Sequence, residues 1–344
     1  MILIVSHHMV FHNAFDFLAQ PNSQKKLFFG LFQYLSGKIG IALFFIASAW
    51  FLSTGTPTLK KSCRKLWLLE RELLFWSLLG LLLQFVLAPD SVHFQQIVTS
   101  LFPLTTQLWW YATAYALFLV FLPFLTVGLR SLGQQNHKKL IIAMVAVWGI
   151  SSLVPYESLD IGLNLIGFVY VYTLITYYRW YMRPASSKTI AIAFASSVSL
   201  LLVWNIGFEL LYTNQYAGEY QSALLVMDRE WSLPVLACSF SVFLFFSRLQ
   251  FHSRLINTVA SWTLGVYLIT DHYYVRYMLW SDFFDFNKYY YTKYPIWAFV
   301  AILIVVFFGA LFMEALRRLM FSITLDYHKG KCFESVWKLL HGNI

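Results

Sequence analysis

Charge is what this chain has least of. Asp, Glu, Lys and Arg make up 12% of its 344 residues, against about 25% in a soluble domain. Hydrophobic residues make up 59% and aromatic ones 19%. Long uncharged runs separated by short polar loops exclude an ordinary water-soluble domain and place most of the chain in lipid. Cysteine is scarce too. Cys63, Cys238 and Cys332 lie far apart, and Cys238 sits within an apolar run, so neither a disulfide framework nor a zinc motif is indicated. The opening MILIVSHH has no basic stretch and no small-residue cleavage site, which argues against a secretory signal. Internal repeats and low-complexity linkers are lacking as well. The net charge of +9 is dispersed among the loops rather than gathered into one patch. That pattern argues against a nucleic-acid partner and for membrane topology.

What is there is a series of apolar runs long enough to cross about 30 Å of hydrocarbon. Ten are predicted, near residues 1–18, 36–53, 71–88, 108–127, 139–155, 160–181, 188–206, 232–249, 259–280 and 295–316. The expected fold is all-α: a polytopic integral membrane helical bundle of about ten transmembrane helices, with the lipid bilayer as its first partner. Most of the 25 Lys and Arg residues fall in the loops 54–70, 128–139, 179–188 and 248–258 and in the tail after 316. By the positive-inside rule these face the cytoplasm, with both termini. The chain divides at 318 into a membrane domain (1–318) and a cytoplasmic tail (319–344). Phe333, Val336, Trp337 and Leu340 recur in the tail at helical spacing beside Lys331 and Lys338, as in a short helix lying on the inner leaflet.

An ionisable side chain inside a span costs about 2.5–3.5 kcal/mol on insertion scales, which makes each one a functional candidate. The first span is the most loaded, with His7, His8, His12 and Asp16. His8 and His12 are four apart and share a helical face, with Asp16 one turn further on. An imidazole there can move a proton, and a carboxylate can orient it. The i,i+4 pair alone is weak evidence for metal: HExxH is absent and neither Cys nor Glu adjoins, so no metal site is assigned. Arg64 and Arg71 are seven apart and share a face if one helix runs through both. With Lys65 they suit a phosphate-bearing ligand, although anchoring at the cytoplasmic surface explains them equally. TDHYYVR places Asp271, His272 and Arg276 near the outer end of the ninth span.

Four segments in order resemble the acyltransferase 3 family. SGKIGIALFFIASAWFL (36–52) is similar to its second-helix signature, and QLWWYATAYALFLVFLPFL (107–125) to its L-W-F…P segment. LIGFVYVYTLITYYRWY (165–181) resembles a sixth helix ending in Y-x-R, and SWTLGVYLITDHYYVRYMLW (261–280) the G-V-Y-L-I-H-D pattern of the ninth. The resemblance implies a membrane-bound acyltransferase that takes an acyl group, commonly acetyl, from acyl-CoA at the cytoplasmic side. It hands that group to hydroxyls of exported cell-surface glycans such as exopolysaccharide. No tightly bound cofactor is implied; acyl-CoA is the donor substrate.

The resemblance assigns the essential first-helix histidine to His8, with His7 second. Its partner arginine falls ahead of Met1. Six residues before His7 are too few for the inner half of a span, so the first helix is expected to be truncated at its N terminus. The family's histidine of Y-L-I-H is Thr270 here, with His272 two residues on, and its Arg-x-x-Arg is represented by Arg64 and Arg71. On this reading Arg64, Arg71 and Lys65 hold the donor phosphates. His8 deprotonates the acceptor or carries the acyl group, with His12 or Asp16 orienting it. Trp109 and Trp110 line the substrate path, as do Asp271, His272 and Arg276, although core packing of the tryptophans and interfacial packing of the TDHYYVR segment explain them equally. Glu209, Glu219, Asp228, Asp282 and Asp285 in the outer loops are available to sugar hydroxyls. Two other readings fit the same residues: a proton-coupled transporter or flippase, and an inactive homologue serving a glycan-assembly complex.

Overall fold

The computed structural model describes residues 1–17, 19–153, 164–212, 229–327 and 330–341. These residues form helices and loops with no strand among them. Each predicted run overlaps helix among the described residues; residues 154–163, which take in the end of the fifth run and the start of the sixth, lie outside them. Four helices are long and apolar enough to cross a membrane: Gln24–Leu52, Trp110–Ser131, Ser187–Gly207 and Pro295–Ile323. Ile2–Phe11 and Leu233–Ser247 are apolar but shorter. Contacts divide the chain into two units, residues 1–55, 126–252 and 285–298, and residues 56–125, 253–284 and 299–344.

In the first unit, α1 (Ile2–Phe11) ends well short of the predicted boundary at 18. At about 1.5 Å per residue its ten residues cover only about half the hydrocarbon. Asn13 ends it, because its Oδ1 accepts from the backbone N–H of Phe15 (3.1 Å) and of Phe286 (3.0 Å). Phe15 and Phe17 then bury against Phe29, Phe286 and Tyr290, with Phe17 4.7 Å from Phe29 and 5.4 Å from Phe286 between ring centroids. Aromatic burial therefore takes over from helix at this point.

The next helix, α2 (Gln24–Leu52), starts before the predicted 36 and carries a π-turn at Phe32–Ser36. It packs against α1, against α7 (Asn164–Tyr181) and against α9 (Leu233–Ser247), which in turn packs on α8 (Ser187–Tyr212). Its C-terminal carbonyls, orphaned as at every helix end, are met by cations. Arg179 lies over the Trp50 ring, 4.3 Å from its centroid, and donates to the Trp50 carbonyl and to Ser53 Oγ. Arg130 donates to the Gly55 carbonyl at 3.3 Å. The arginine that ends the Y-x-R segment thus caps a neighbouring helix, where its charge also opposes the helix dipole.

In the second unit, α3 (Leu59–Leu87) is the spine. Thr58 caps it by accepting from Lys61 N–H, so helix begins well before the predicted start at 71. Arg64 and Arg71 accordingly lie on one continuous helix. Against α3 pack α4 (Phe94–Leu101), α10 (Arg254–Asp271) and α11 (Tyr273–Tyr277). The predicted ninth span is broken at His272, whose ψ of 129° is extended; the Arg276–Asp271 ion pair (3.2 Å) bridges the break. α5 (Trp110–Ser131) begins in this unit, and α6 (Gly133–Met144), which follows it in sequence, belongs to the first. α12 (Pro295–Ile323) continues past 318, and α13 (Lys331–His341) follows it.

Candidate active site

On α1 the histidines form a ladder. Ring centroids lie 5.9 Å apart for His7 and His8 and 5.3 Å apart for His8 and His12. His8 is buried. His12 is the residue that closes the helix. Asp16 stands beyond Phe11, exposed, and its Oδ1 accepts from Ala19 N–H at 3.1 Å. The shared helical face predicted for His8, His12 and Asp16 therefore ends at His12, because the chain has already turned at Asn13.

Two glycines seat this ladder. A β-carbon at Gly37 would stand 2.5 Å from His7 Cγ, and one at Gly40 would stand 2.8 Å from Ile4 Cγ1. Small residues let two membrane helices approach closely, so the glycines of SGKIG have a physical role here. The Phe32 carbonyl in the π-turn accepts from Ser36 Oγ (2.8 Å) and lies 3.2 Å from His7 Nδ1. A carbonyl accepts only, so Nδ1 carries the proton, and in the neutral ring Nε2 is left as the lone-pair nitrogen. Gly37→Ala is expected to push the His7 ring off this carbonyl and to lower acyl transfer at least tenfold, while the amount of protein in membranes changes little. Transfer assays set against immunoblots check it; full activity in the alanine variant would show that the seat has no part in the chemistry.

The second unit holds the other predicted residues. His272 is 1% exposed and fills the space beside Gly80, where a β-carbon would stand 2.4 Å from its Cε1. Trp109, also 1% exposed, lies 5.9 Å from it between ring centroids. Among the described residues the Trp109 indole N–H has no hydrogen-bond partner. Trp110 is half-buried at the start of α5. Thr270 spends its hydroxyl on the Val266 carbonyl at 2.9 Å. Tyr273 donates to Gln84 Oε1 at 2.7 Å.

Arg64 and Lys65 are exposed on α3. Arg71 pairs with Asp326 at 2.6 Å and lies over the Phe321 ring. Lys60 pairs with Glu334 at 2.7 Å. The Lys60 ammonium holds the Glu334 carboxyl below the usual carboxylate range, with Arg64 and Lys338 adding to the pull. Among the outer-loop acids, Asp285 is committed to capping Asn287. Glu219 and Asp228 lie outside the described residues, as does the side chain of Glu209.

One cluster escaped the sequence reading. Glu314, fully buried in α12, receives Arg317 through two bonds (2.8 and 2.6 Å), Arg318 (2.6 Å) and the Trp76 indole (3.2 Å). Arg317 also reaches Glu72 at 3.5 Å. Gly265 of α10 makes the room, since a β-carbon there would stand 2.4 Å from Glu314 Oε2. The available signal was MEALRR, a lone acid in an apolar run with basic residues three and four positions on.

Neither a curated protein nor a solved structure matches this chain. A family model described as an acyltransferase domain, that of acyltransferase 3, matches residues 1–315, a stretch that takes in the α1 histidines, the α3 arginines, the broken helix at His272 and Glu314. Apolar helices and a match over nearly its whole length identify a membrane protein with acyltransferase activity, and the chain belongs to the acyltransferase 3 family.

Proposed function

We propose that this protein is an O-acyltransferase of the cell membrane. It moves an acyl group, acetyl first among them, from cytoplasmic acyl-CoA to a hydroxyl of an exported surface glycan or exopolysaccharide. The observation that carries the reading is the histidine ladder of α1, seated on two glycines within a chain of acyltransferase family. Imidazole is suited to both halves of the reaction. As a base it takes the acceptor proton while the hydroxyl oxygen attacks the thioester carbonyl and the CoA thiolate leaves. As a nucleophile it carries the acyl group between the two substrates. His8 takes this part, with His7 and His12 flanking it.

Arg64, Lys65 and Arg71 hold the donor's phosphates, to which guanidinium forks are matched in geometry. Trp109, with its unpartnered indole N–H, and Trp110, Asp271, His272 and Arg276 line the substrate path. The topology is ten spans with both termini in the cytoplasm, following the distribution of Lys and Arg.

The test uses membranes containing the full chain, labelled acetyl-CoA and surface glycan from the host. Wild type is expected to place label in polysaccharide, and Arg71→Ala to do so with a raised KM for acetyl-CoA. Label that enters no hydroxyl-bearing glycan, even at high donor concentration, would falsify the acceptor class.

A further inference from the structure

We propose that the segment carrying Asp326 and Glu334 is a displaceable cover on the cationic end of α3, which the donor's phosphates must push aside. This rests on the reading of Arg64 and Arg71 as donor-phosphate residues, and it adds a competitor for the same charges. Both proposed phosphate-binding arginines lie against the chain's own C-terminal segment. Asp326 holds Arg71 at 2.6 Å, and Glu334 holds Lys60, one helical turn before Arg64, at 2.7 Å. Gly330, at φ +89°, lies against Arg64 so closely that a β-carbon there would stand 2.8 Å from the guanidinium Nη2. A carboxylate and a phosphate oxygen make the same charge-assisted bond to these groups. Arg71 therefore serves the tail or the donor, but not both at once, and the Lys60–Glu334 pair and Gly330 keep the tail against the same end of α3 beside Arg64.

The hold is graded. The Arg71–Asp326 side chains are 18% and 25% exposed, whereas Lys60 and Glu334 are 46% and 36% exposed. A pair as open to water as Lys60–Glu334 is held weakly, and the half-buried Arg71–Asp326 pair more firmly. Phe333 is the buried side chain of α13, while Val336, Leu339 and Leu340 stand exposed. Trp337 is half-buried and packs on Phe333 at 5.7 Å between ring centroids, so α13 is held from one edge, beside a wet ion pair, and can lift. Coenzyme A carries a diphosphate and a 3′-phosphate, enough charge to replace both carboxylates.

The experiment uses the full chain purified in detergent, with Cys63→Ala and a fluorophore on the exposed Cys332; Cys238 is buried. Coenzyme A alone is titrated, binding is measured by equilibrium dialysis, and probe anisotropy is read alongside. Anisotropy is expected to fall as coenzyme A binds. Asp326→Asn with Glu334→Gln is expected to lower the half-saturating concentration about two- to fivefold, the range that weak exposed pairs allow. Arg64→Ala and Arg71→Ala are expected to raise it. If the arginine variants weaken binding while the tail variants and the probe do not respond, the cover is wrong and the donor site stands. If the arginine variants bind as wild type does, the donor site falls and the cover falls with it.

Discussion

His8→Ala is expected to lower acyl transfer by about 10²- to 10⁴-fold, the range in which a positioned general base contributes, with the protein still present in membranes at the wild-type level. The expectation follows from where the ring sits. His8 is buried between His7 and His12 on a ten-residue helix too short to cross the hydrocarbon alone. Burying such rings is costly unless they find hydrogen-bond partners, and their retention inside an apolar helix makes them functional candidates. His8→Gln keeps volume and hydrogen bonding but removes the titrating nitrogen, so it should be as inactive as alanine. His7 is the informative control, since its proton is fixed on Nδ1 by the Phe32 carbonyl. If transfer survives His8→Ala and disappears with His7→Gln, the reacting imidazole is His7 and the ladder has been entered one rung too far along. Survival of both substitutions removes α1 from the chemistry altogether.

The second large effect is on stability. Glu314→Ala is expected to cost about 3–5 kcal/mol, the usual penalty for stripping one partner from a buried ion pair. Arg317 is left 7% exposed without its main counter-ion, and the Trp76 indole loses its acceptor. Gly265→Ala should act through the same carboxylate, by pushing it out of its niche. Thermal unfolding of the detergent-solubilised protein measures both. The diagnostic variant is Glu314→Leu with Arg317→Met, which replaces one charge of each sign by apolar side chains and should regain part of the loss, because a well-packed apolar pair often equals or betters a buried ionic one, while Arg318 and the Trp76 indole still lose their acceptor. An unfolding midpoint for Glu314→Ala equal to wild type would mean that the network carries no structural weight.

Those two sites differ in how far they could be read from the sequence. The α1 histidines announced themselves by composition, because imidazoles in a run such as MILIVSHHMVFH have no other means of standing out. Arg64 and Arg71 were legible as a pair only on condition that helix ran through both, a condition met by the Thr58 cap on α3. Asp16 was misplaced because an i,i+4 rule assumes that the helix continues, and Asn13 and a cluster of phenylalanines end it first. Glu314 was passed over for the opposite reason. Its partners Arg317 and Arg318 looked like ordinary positive-inside residues, and the space that admits it is a property of Gly265, distant in sequence. Apolar runs report where helices lie. They say less about length, so residues 12–17 after α1, and the helical residues 59–70 ahead of the predicted third span, were assigned to the wrong side of the boundary.

The π-turn at Phe32–Ser36 has a consequence for insertions and deletions. Each residue added to or taken from a helix rotates everything beyond it by about 100°. Removing any one residue between 32 and 36 would leave a more regular α-helix, yet it would swing the faces of Gly37 and Gly40 away from α1 and take the carbonyl from His7 Nδ1. Regularity and register are thus opposed in this helix. The extra residue works as a phase setting, and a single-codon deletion there, silent in hydropathy and favourable in helix geometry, would leave α1 without a place to dock.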